Sequence, residues 1–449
     1  MTSPAQIADR FTYQGLDVDS ATGEVTCRYA TGRHEFTERF IFGPEGNWGD
    51  PATLAAIRIL YLLAGISYYK TTAAPLIDLG DLVTTADERD FLLRFYREGL
   101  GEFAYRSGID LGGLALTGPD GSLTPVSYSP DAGRPLIPFG GGIDSIVTVE
   151  GLRRDHSDAA LCIVHPQGQR FAAIEDPAAV AHLPMVHVTR VIDPKVLRSR
   201  ELGLLNGHVP ITAVITATAL VAAVLQRRDA VVLSNEWSAS IPTLEENGKT
   251  VNHQWSKSES FETAFSQLVE SSLGPQIAVF SYLRSRSELW VAQQFAGLTK
   301  YHPVFRSCNR AFHQDPAQRL DHWCGECDKC CFIDLILAPF IDAAHLDEVF
   351  GGNEPLNTPS LRDKFEALLG LSLDAKPFEC VGDVHECRAA LRLTAARADR
   401  LDNMLVHSLA AACSDSNEQD DDVDFLLAPI GPHYIPDRYA PPDLLVRAH

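Results

Sequence analysis

Apolar and polar positions first alternate along the chain. Phe11 to Val18, Glu24 to Tyr29 and Glu35 to Phe42 are rich in aromatic and β-branched residues, with turn-forming stretches at Ser20 to Gly23 and Thr31 to Gly32. Such spacing predicts an antiparallel sheet. Helical periodicity follows at Pro51 to Ala64 and at Asp87 to Glu98, the first opening on Asp50 as cap with proline at the first helical position. Residues 1–125 therefore read as an N-terminal α+β accessory domain.

From about Arg134 short apolar runs alternate with helical patterns, the signature of a parallel sheet wrapped by crossovers. Strands are expected at Leu136 to Phe139, Ala159 to Val164, Met185 to Val188, Ala230 to Leu233 and Gln276 to Tyr282, with a last one at His302 to Phe305. Helices are expected at Asp144 to Arg153, Val209 to Arg227, around Phe261 to Glu270, and at Ser287 to Ala296. The fold class is α/β, an open parallel sheet over residues 126–340 that forms the catalytic domain. Residues 341–449 read as a helical C-terminal region, with an amphipathic stretch from Val384 to Ala412, an acidic loop from Ser414 to Asp424 and a proline-rich end.

Charge narrows the function classes. Across 449 residues, 38 Lys and Arg stand against 59 Asp and Glu, a net charge of −21. Nucleic-acid affinity needs a basic face to neutralise phosphates, so no nucleic-acid partner is expected. The longest apolar run, Val209 to Leu225, is interrupted by Thr212, Thr216 and Thr218 and falls short of the roughly 20 residues that span a bilayer. It reads as a buried helix, with no membrane partner. The start MTSPAQIADRF has neither a basic lead into an apolar stretch nor a cleavage signal. A cytoplasmic protein is expected, in which ten cysteines serve as thiols, metal ligands or catalytic groups rather than disulfides.

Two familiar motifs fail. Asn247-Gly248-Lys249-Thr250 imitates the end of a Walker A loop, but Thr243 stands where its first glycine belongs. Gly99, Gly101 and Ala104 fit a dinucleotide fingerprint yet follow a helical segment, where the glycines are helix terminators. A third stretch, Pro138-Phe139-Gly140-Gly141-Gly142-Ile143-Asp144-Ser145, lies directly between an apolar strand and a helix. Successive glycines let backbone N–H groups converge on a phosphate, and the helix amino terminus adds partial positive charge. Asp144 can cap that helix or orient a metal, and Ser145 can donate to a phosphate oxygen. This loop resembles the SGGxDS pyrophosphate loop of the ATP pyrophosphatases, with Gly140 in place of the serine.

Two polar blocks, Ser234-Asn235-Glu236-Trp237-Ser238-Ala239-Ser240 and Asn252-His253-Gln254-Trp255-Ser256-Lys257-Ser258, follow a candidate strand. In an open α/β sheet, polar groups in that place line the ligand crevice. Together with the glycine loop and Gly99 to Tyr105, they resemble the UDP-N-acetylmuramoyl-L-alanyl-L-glutamate epimerase family (MurL) from about Tyr68 to Phe340. A departure is Ile143, where many relatives would carry lysine.

The resemblance implies a sheet of the adenine-nucleotide α-hydrolase type. It also implies inversion of the terminal glutamate of UDP-N-acetylmuramoyl-L-alanyl-L-glutamate, with ATP becoming AMP and diphosphate. An α-proton beside an ionised carboxylate is a poor acid, and adenylation removes that charge. On this reading Gly140, Gly141, Gly142, Asp144 and Ser145 cradle ATP with Mg2+. Asn235, Ser238, Asn252, Gln254 and Ser256 bind substrate. His253, Lys257 and Glu236 carry the acid/base work, with His208 a further candidate. His253 and Lys257, four apart, share a face if their segment is helical. The alternatives are another ATP pyrophosphatase, such as an enzyme resembling 7-cyano-7-deazaguanine synthase, or a non-catalytic ATP-binding module.

Cys324, Cys327 and Cys330 are spaced to wrap one tetrahedral ion, with Cys308 or, less aptly, Cys331 as fourth ligand, so a structural Zn2+ is expected. The alternative is that Cys330 and Cys331 simply begin the apolar helix Phe332 to Leu337.

Overall fold

The structure is a computed structural model describing residues 8–246, 249–313, 315–372, 379, 381–413 and 422–445. Asn247 and Gly248 of the Walker-like stretch and most of the acidic run lie outside the described residues.

Three antiparallel strands open the chain: β1 (Arg10–Asp19), β2 (Glu24–Thr31) and β3 (His34–Ile41). Helices α1 (Pro51–Ala64) and α2 (Ile66–Tyr69) follow, then β4 (Leu76–Asp78), α3 (Ala86–Gly99), α4 (Gly101–Ser107) and β5 (Ala115–Thr117). The Asp50 side chain accepts from Ala52 N at the start of α1, as its cap position requires. A strand–helix alternation takes over with β6 (Asp131–Pro138), α5 (Ile143–Leu152), β7 (Ala160–Pro166), α6 (Ala172–Ala181), β8 (Met185–Val191), α7 (Pro194–Leu197), α8 (Ile211–Leu225) and β9 (Arg228–Leu233). A hairpin, β10 (Leu244–Glu246) and β11 (Lys249–Val251), leads to α9 (Glu259–Leu273), β12 (Ala278–Ser281), α10 (Glu288–Ala296) and α11 (Asp328–Leu337). The described remainder is mainly helical, including Val384–Ala395 and Met404–Ala412.

Ten of these strands form one sheet in the order β12-β9-β6-β7-β8-β3-β2-β1-β4-β5. β12, β9, β6, β7 and β8 are parallel to their neighbours, β8 meets β3 antiparallel, and β4 and β5 add parallel strands at the far edge. The amino-terminal strands therefore continue the parallel sheet without a break. At the β3–β8 seam Glu38 and Arg190 form a buried ion pair, and Arg190 also donates to Ser67 Oγ at 3.0 Å.

Strand periodicity sorts the core into two layers. Leu136, Ala160, Cys162, Val231 and Leu233 face a core built on α1, α8 and α9. Their neighbours Ile137, Leu161, Ile163, Ala230 and Val232 face a second core with α5, α10, α11 and the C-terminal helices. Alternate side chains of a strand point to opposite faces, so a strand covered on both sides reads as a continuous apolar run. Burying each large aliphatic side chain contributes roughly 1.5–3 kcal/mol.

The expected run from Val209 is indeed a buried helix, α8, and packs on α1. Pro51–Tyr69 is itself long and apolar enough to cross a membrane, but 83% of its most apolar window is buried inside the fold. His302 to Phe305 is not a strand. His302 caps the 3-10 turn Thr299–Tyr301 with φ −53° and ψ −40°, Val304 N and Phe305 N both donate to Tyr301 O, and Pro303 has no N–H to give to a ladder. Its apolar side chains reflect packing rather than strand pairing.

Candidate active site

Three adjacent parallel strands, β12, β9 and β6, deliver the polar loops at their carboxyl ends. After β6, Phe139 N donates to Cys162 O at 2.9 Å and the chain turns through the glycines. Gly141 has φ +77°, and a Cβ there would stand 2.2 Å from Ala173 O. Only glycine fits that approach to α6. Around Gly140 a Cβ would meet nothing within 4 Å, so the loop is open on that side. Gly142 begins α5 with no side-chain cap, leaving the first N–H groups of a ten-residue helix without one. Ser145 Oγ donates to Gly142 O at 2.9 Å and closes the first turn.

Asp144 does not cap the helix. It joins Glu236, after β9, and Glu288, in the first turn of α10, with one oxygen from each lying within 4.8 Å of the others. Asp144 Oδ1 and Glu288 Oε2 are buried without a hydrogen-bond partner. Burial first, and then Glu236, push Asp144 up to about 6, against the pull of Lys329 and Lys257. Glu288 is raised well above the usual carboxylate range by burial and by Asp144 and Glu236. Three crowded carboxylates need protons or a cation.

A second cluster was not legible as such. Glu102, on α4, accepts from His253 Nδ1 at 2.5 Å, and the same Oε2 lies 3.6 Å from His208 Nδ1. The two imidazole centroids are 4.3 Å apart. Burial, followed by the nearby His253, brings His208 down to about 4. Burial works against the Glu102 carboxylate, but His253, His208 and Arg106 together hold it below its ordinary value. Buried Lys70 donates to Gly207 O at 2.9 Å and is lowered to about 8, mainly by burial. The charge of Lys257 bears on both His208 and Asp144, lowering each.

The segment from His253 to Lys257 is not an α-helix, so these two residues do not share a helix face. Asn252 Oδ1 accepts from Gln254 N at 2.7 Å, a 3-10 turn spans Trp255–Lys257, and Ser258 caps α9. Side chains that bond to nearby backbone compete with helix in this way. Lys257 Nζ donates to Gln254 Oε1 at 3.1 Å.

The other expected substrate contacts build the loops themselves. Asn235 Nδ2 donates to Ser281 Oγ at 3.1 Å, Ser238 Oγ to Glu236 Oε1 at 3.5 Å, and Asn252 Nδ2 to Ala239 O at 3.0 Å; Ser256 is buried beside them.

Sequence reasoning missed Arg284, whose buried guanidinium pins both loops by donating to Glu236 O at 2.9 Å and Lys257 O at 2.6 Å. The proline-rich end runs as irregular chain and straps this region. Ile430 N donates to Ser285 O at 2.8 Å, Ser287 Oγ to Leu426 O at 2.6 Å, and Arg286 pairs with Asp443. The one available signal for Glu102 was its place in the Gly99 to Tyr105 stretch.

Cys308, Cys324, Cys327 and Cys330 bring four sulfurs within 4.8 Å of one another. Cys324 Sγ lies 3.6 Å from Cys330 Sγ and accepts from Cys327 N at 3.4 Å. Gly325 has φ +70° at the turn. Cys308, not Cys331, completes the set.

The sheet and its loops define a mixed α/β protein whose polar side chains gather at the carboxyl ends of parallel strands. Residues 1–282 match the MurL N-terminal domain and 304–424 the MurL C-terminal domain, and the chain belongs to the MurL family. A protein of Salinispora tropica is 37% identical over 96% of this chain and 95% of its own length. One from a Micromonospora strain is 36% identical over 96% and 97%, and one from Xanthomonas oryzae pv. oryzae 34% identical over 95% of each. All three are named UDP-N-acetyl-alpha-D-muramoyl-L-alanyl-L-glutamate epimerase. No solved structure matches.

Proposed function

We propose that the chain inverts the α-carbon of the terminal L-glutamate of UDP-N-acetylmuramoyl-L-alanyl-L-glutamate, using ATP to adenylate the glutamyl carboxylate with release of diphosphate, and water to hydrolyse the inverted acyl adenylate with release of AMP. The observation that carries this reading is similarity along nearly the whole chain to relatives named for that epimerisation. The open glycine loop at the start of α5 supports the ATP part.

Asp144, Glu236 and Glu288 fit Mg2+: they are hard oxygen donors, and two of their buried oxygens lack partners. Bound there, the ion would neutralise charge developing on the phosphates. The four cysteines fit a structural Zn2+. The chain's own residues do the rest. The backbone N–H groups at the start of α5 hold the leaving diphosphate, and Arg284 keeps the two polar loops in register. His253 and Lys257 exchange protons at the α-carbon of the activated glutamate, where loss of the carboxylate charge lets the carbonyl accept the electron pair.

The test is incubation of the protein with ATP, Mg2+ and the UDP-muramoyl L-Ala-L-Glu substrate. AMP and D-glutamate should appear together, each dependent on the other reactant. Neither forming, in folded protein, would sink the reading.

A further inference from the structure

Resting on that reading, we propose that Glu102 is the positioning residue of the proton transfer: it holds His253 through Nδ1–H, so that Nε2 of the same ring is the base at the glutamyl α-carbon.

The geometry carries this. The 2.5 Å contact between Glu102 Oε2 and His253 Nδ1 joins an anion to a ring nitrogen, which places the proton on Nδ1 and the lone pair on Nε2. Side-chain exposures of 8% and 13% keep the pair largely away from bulk water. Residues close to the pair in sequence, though not Glu102 and His253 themselves, line a large opening. Gly101, Ala104, Asn252 and Trp255, flanking Glu102 and His253 in sequence, line a cleft of about 900 Å3, room for a nucleotide-sugar peptide.

His208 completes the arrangement. Its ring, tilted by 45°, lies 4.3 Å from that of His253 and faces the same carboxylate oxygen, so it lies on the same side of any substrate and is not the second acid. Being neutral, it adds no charge against an imidazolium forming on His253. The lysines near His208, Lys70 and Lys257, suit an anionic substrate better than a metal cation at this cluster.

In the step itself the Cα–H bond breaks and its proton forms the Nε2–H bond, while the electron pair moves into the adenylated carboxyl group as an enolate. Lys257 delivers a proton to the opposite face, forming the new Cα–H bond with the pair returned from the enolate. His253 then loses its extra proton to water and Lys257 regains one.

The experiment compares wild type, E102Q and E102D as full chains in heavy water with ATP, Mg2+ and the UDP-muramoyl dipeptide. It reads first-turnover diphosphate release and deuterium at the glutamate α-carbon. E102Q should keep diphosphate release within about threefold and lose deuterium incorporation by about 100-fold or more, within the usual range for general-base catalysis. E102D should recover part of it. The acidic limb of the exchange rate should also move in E102Q, with Arg106, His208, Lys70, Lys257 and Glu379 as the other ionisable groups around the pair. Nitrogen NMR of the free protein should show His253 protonated at Nδ1 in wild type and a redistributed tautomer in E102Q.

Exchange at the wild-type rate in E102Q, or an equal fall in both half-reactions, overturns the proposal. Diphosphate release without α-exchange in the wild type instead overturns the epimerisation reading on which it rests.

Discussion

Arg284 is paired with Glu262 at 2.8 Å, and the two side chains are 2% and 1% exposed. The same guanidinium reaches the backbone of both polar loops, so a single buried cation ties α9, the loop after β9 and the turn before α9. R284M should cost about 3–5 kcal/mol in urea unfolding, because it strands a buried acid. R284K should cost less, since it keeps the charge but not the planar fork. A loss under about 1 kcal/mol for R284M would show that the pin is dispensable.

The glycine loop makes opposite demands at neighbouring positions. G141A should abolish ATP cleavage and lower Tm, since its Cβ would stand 2.2 Å from a carbonyl oxygen in a left-handed backbone. G140S should fold normally and cleave ATP at least as fast as the parent, because its side chain enters open space and restores a hydroxyl. D144N should slow diphosphate release by about 100-fold, the order expected for losing one transition-state contact, with Tm little changed. Unimpaired cleavage in G141A would remove the loop from the reaction.

Metal analysis of chain purified without chelator should find one zinc. C327S should lose that zinc together with thermal stability, while C331S, whose sulfur lies outside the four-cysteine group, should keep it. A chain with less than about a tenth of an equivalent would leave the four thiols as packing alone.

His208 gives the fold a definite pH dependence. Its native pKa of about 4 lies below the ordinary 6.5, so the unfolded chain binds the extra proton over that interval. Its contribution is fully present above pH 6.5 and is lost as pH falls toward 4. The stability of wild type relative to H208N should therefore decline across this window, by at most about 3 kcal/mol. A stability difference between them that stays flat from pH 7 to 4 would contradict the burial argument.

Much of the architecture is written locally. Leu136 to Pro138, the three glycines and Ile143 onward lie in one short stretch, and their period and turn chemistry are visible without any partner. The same holds for the cysteine triplet. Glu102, Arg284 and Glu288 are different: each is one polar residue on a helix or loop, and its meaning comes from groups far away in the chain. Nothing in the sequence around Glu102 points to His253. The joining of β3 to β8 is equally invisible, because it depends on Glu38 finding Arg190 across the molecule. His302 to Phe305 misleads in the other direction, since buried turns and strands use the same apolar residues.

The strap along residues 426–443 has a consequence for how the protein is made. Ser285, Arg286 and Ser287 emerge from the ribosome long before the segment that grips them, so the turn carrying Glu288 is assembled early and fastened late. A chain still being translated holds the glycine loop and both polar loops but lacks that fastening, and should remain idle toward ATP until the strap has docked. A bulky fusion placed just after Asp443 would act on the newborn enzyme in the same way, as a delay in maturation rather than a change in chemistry.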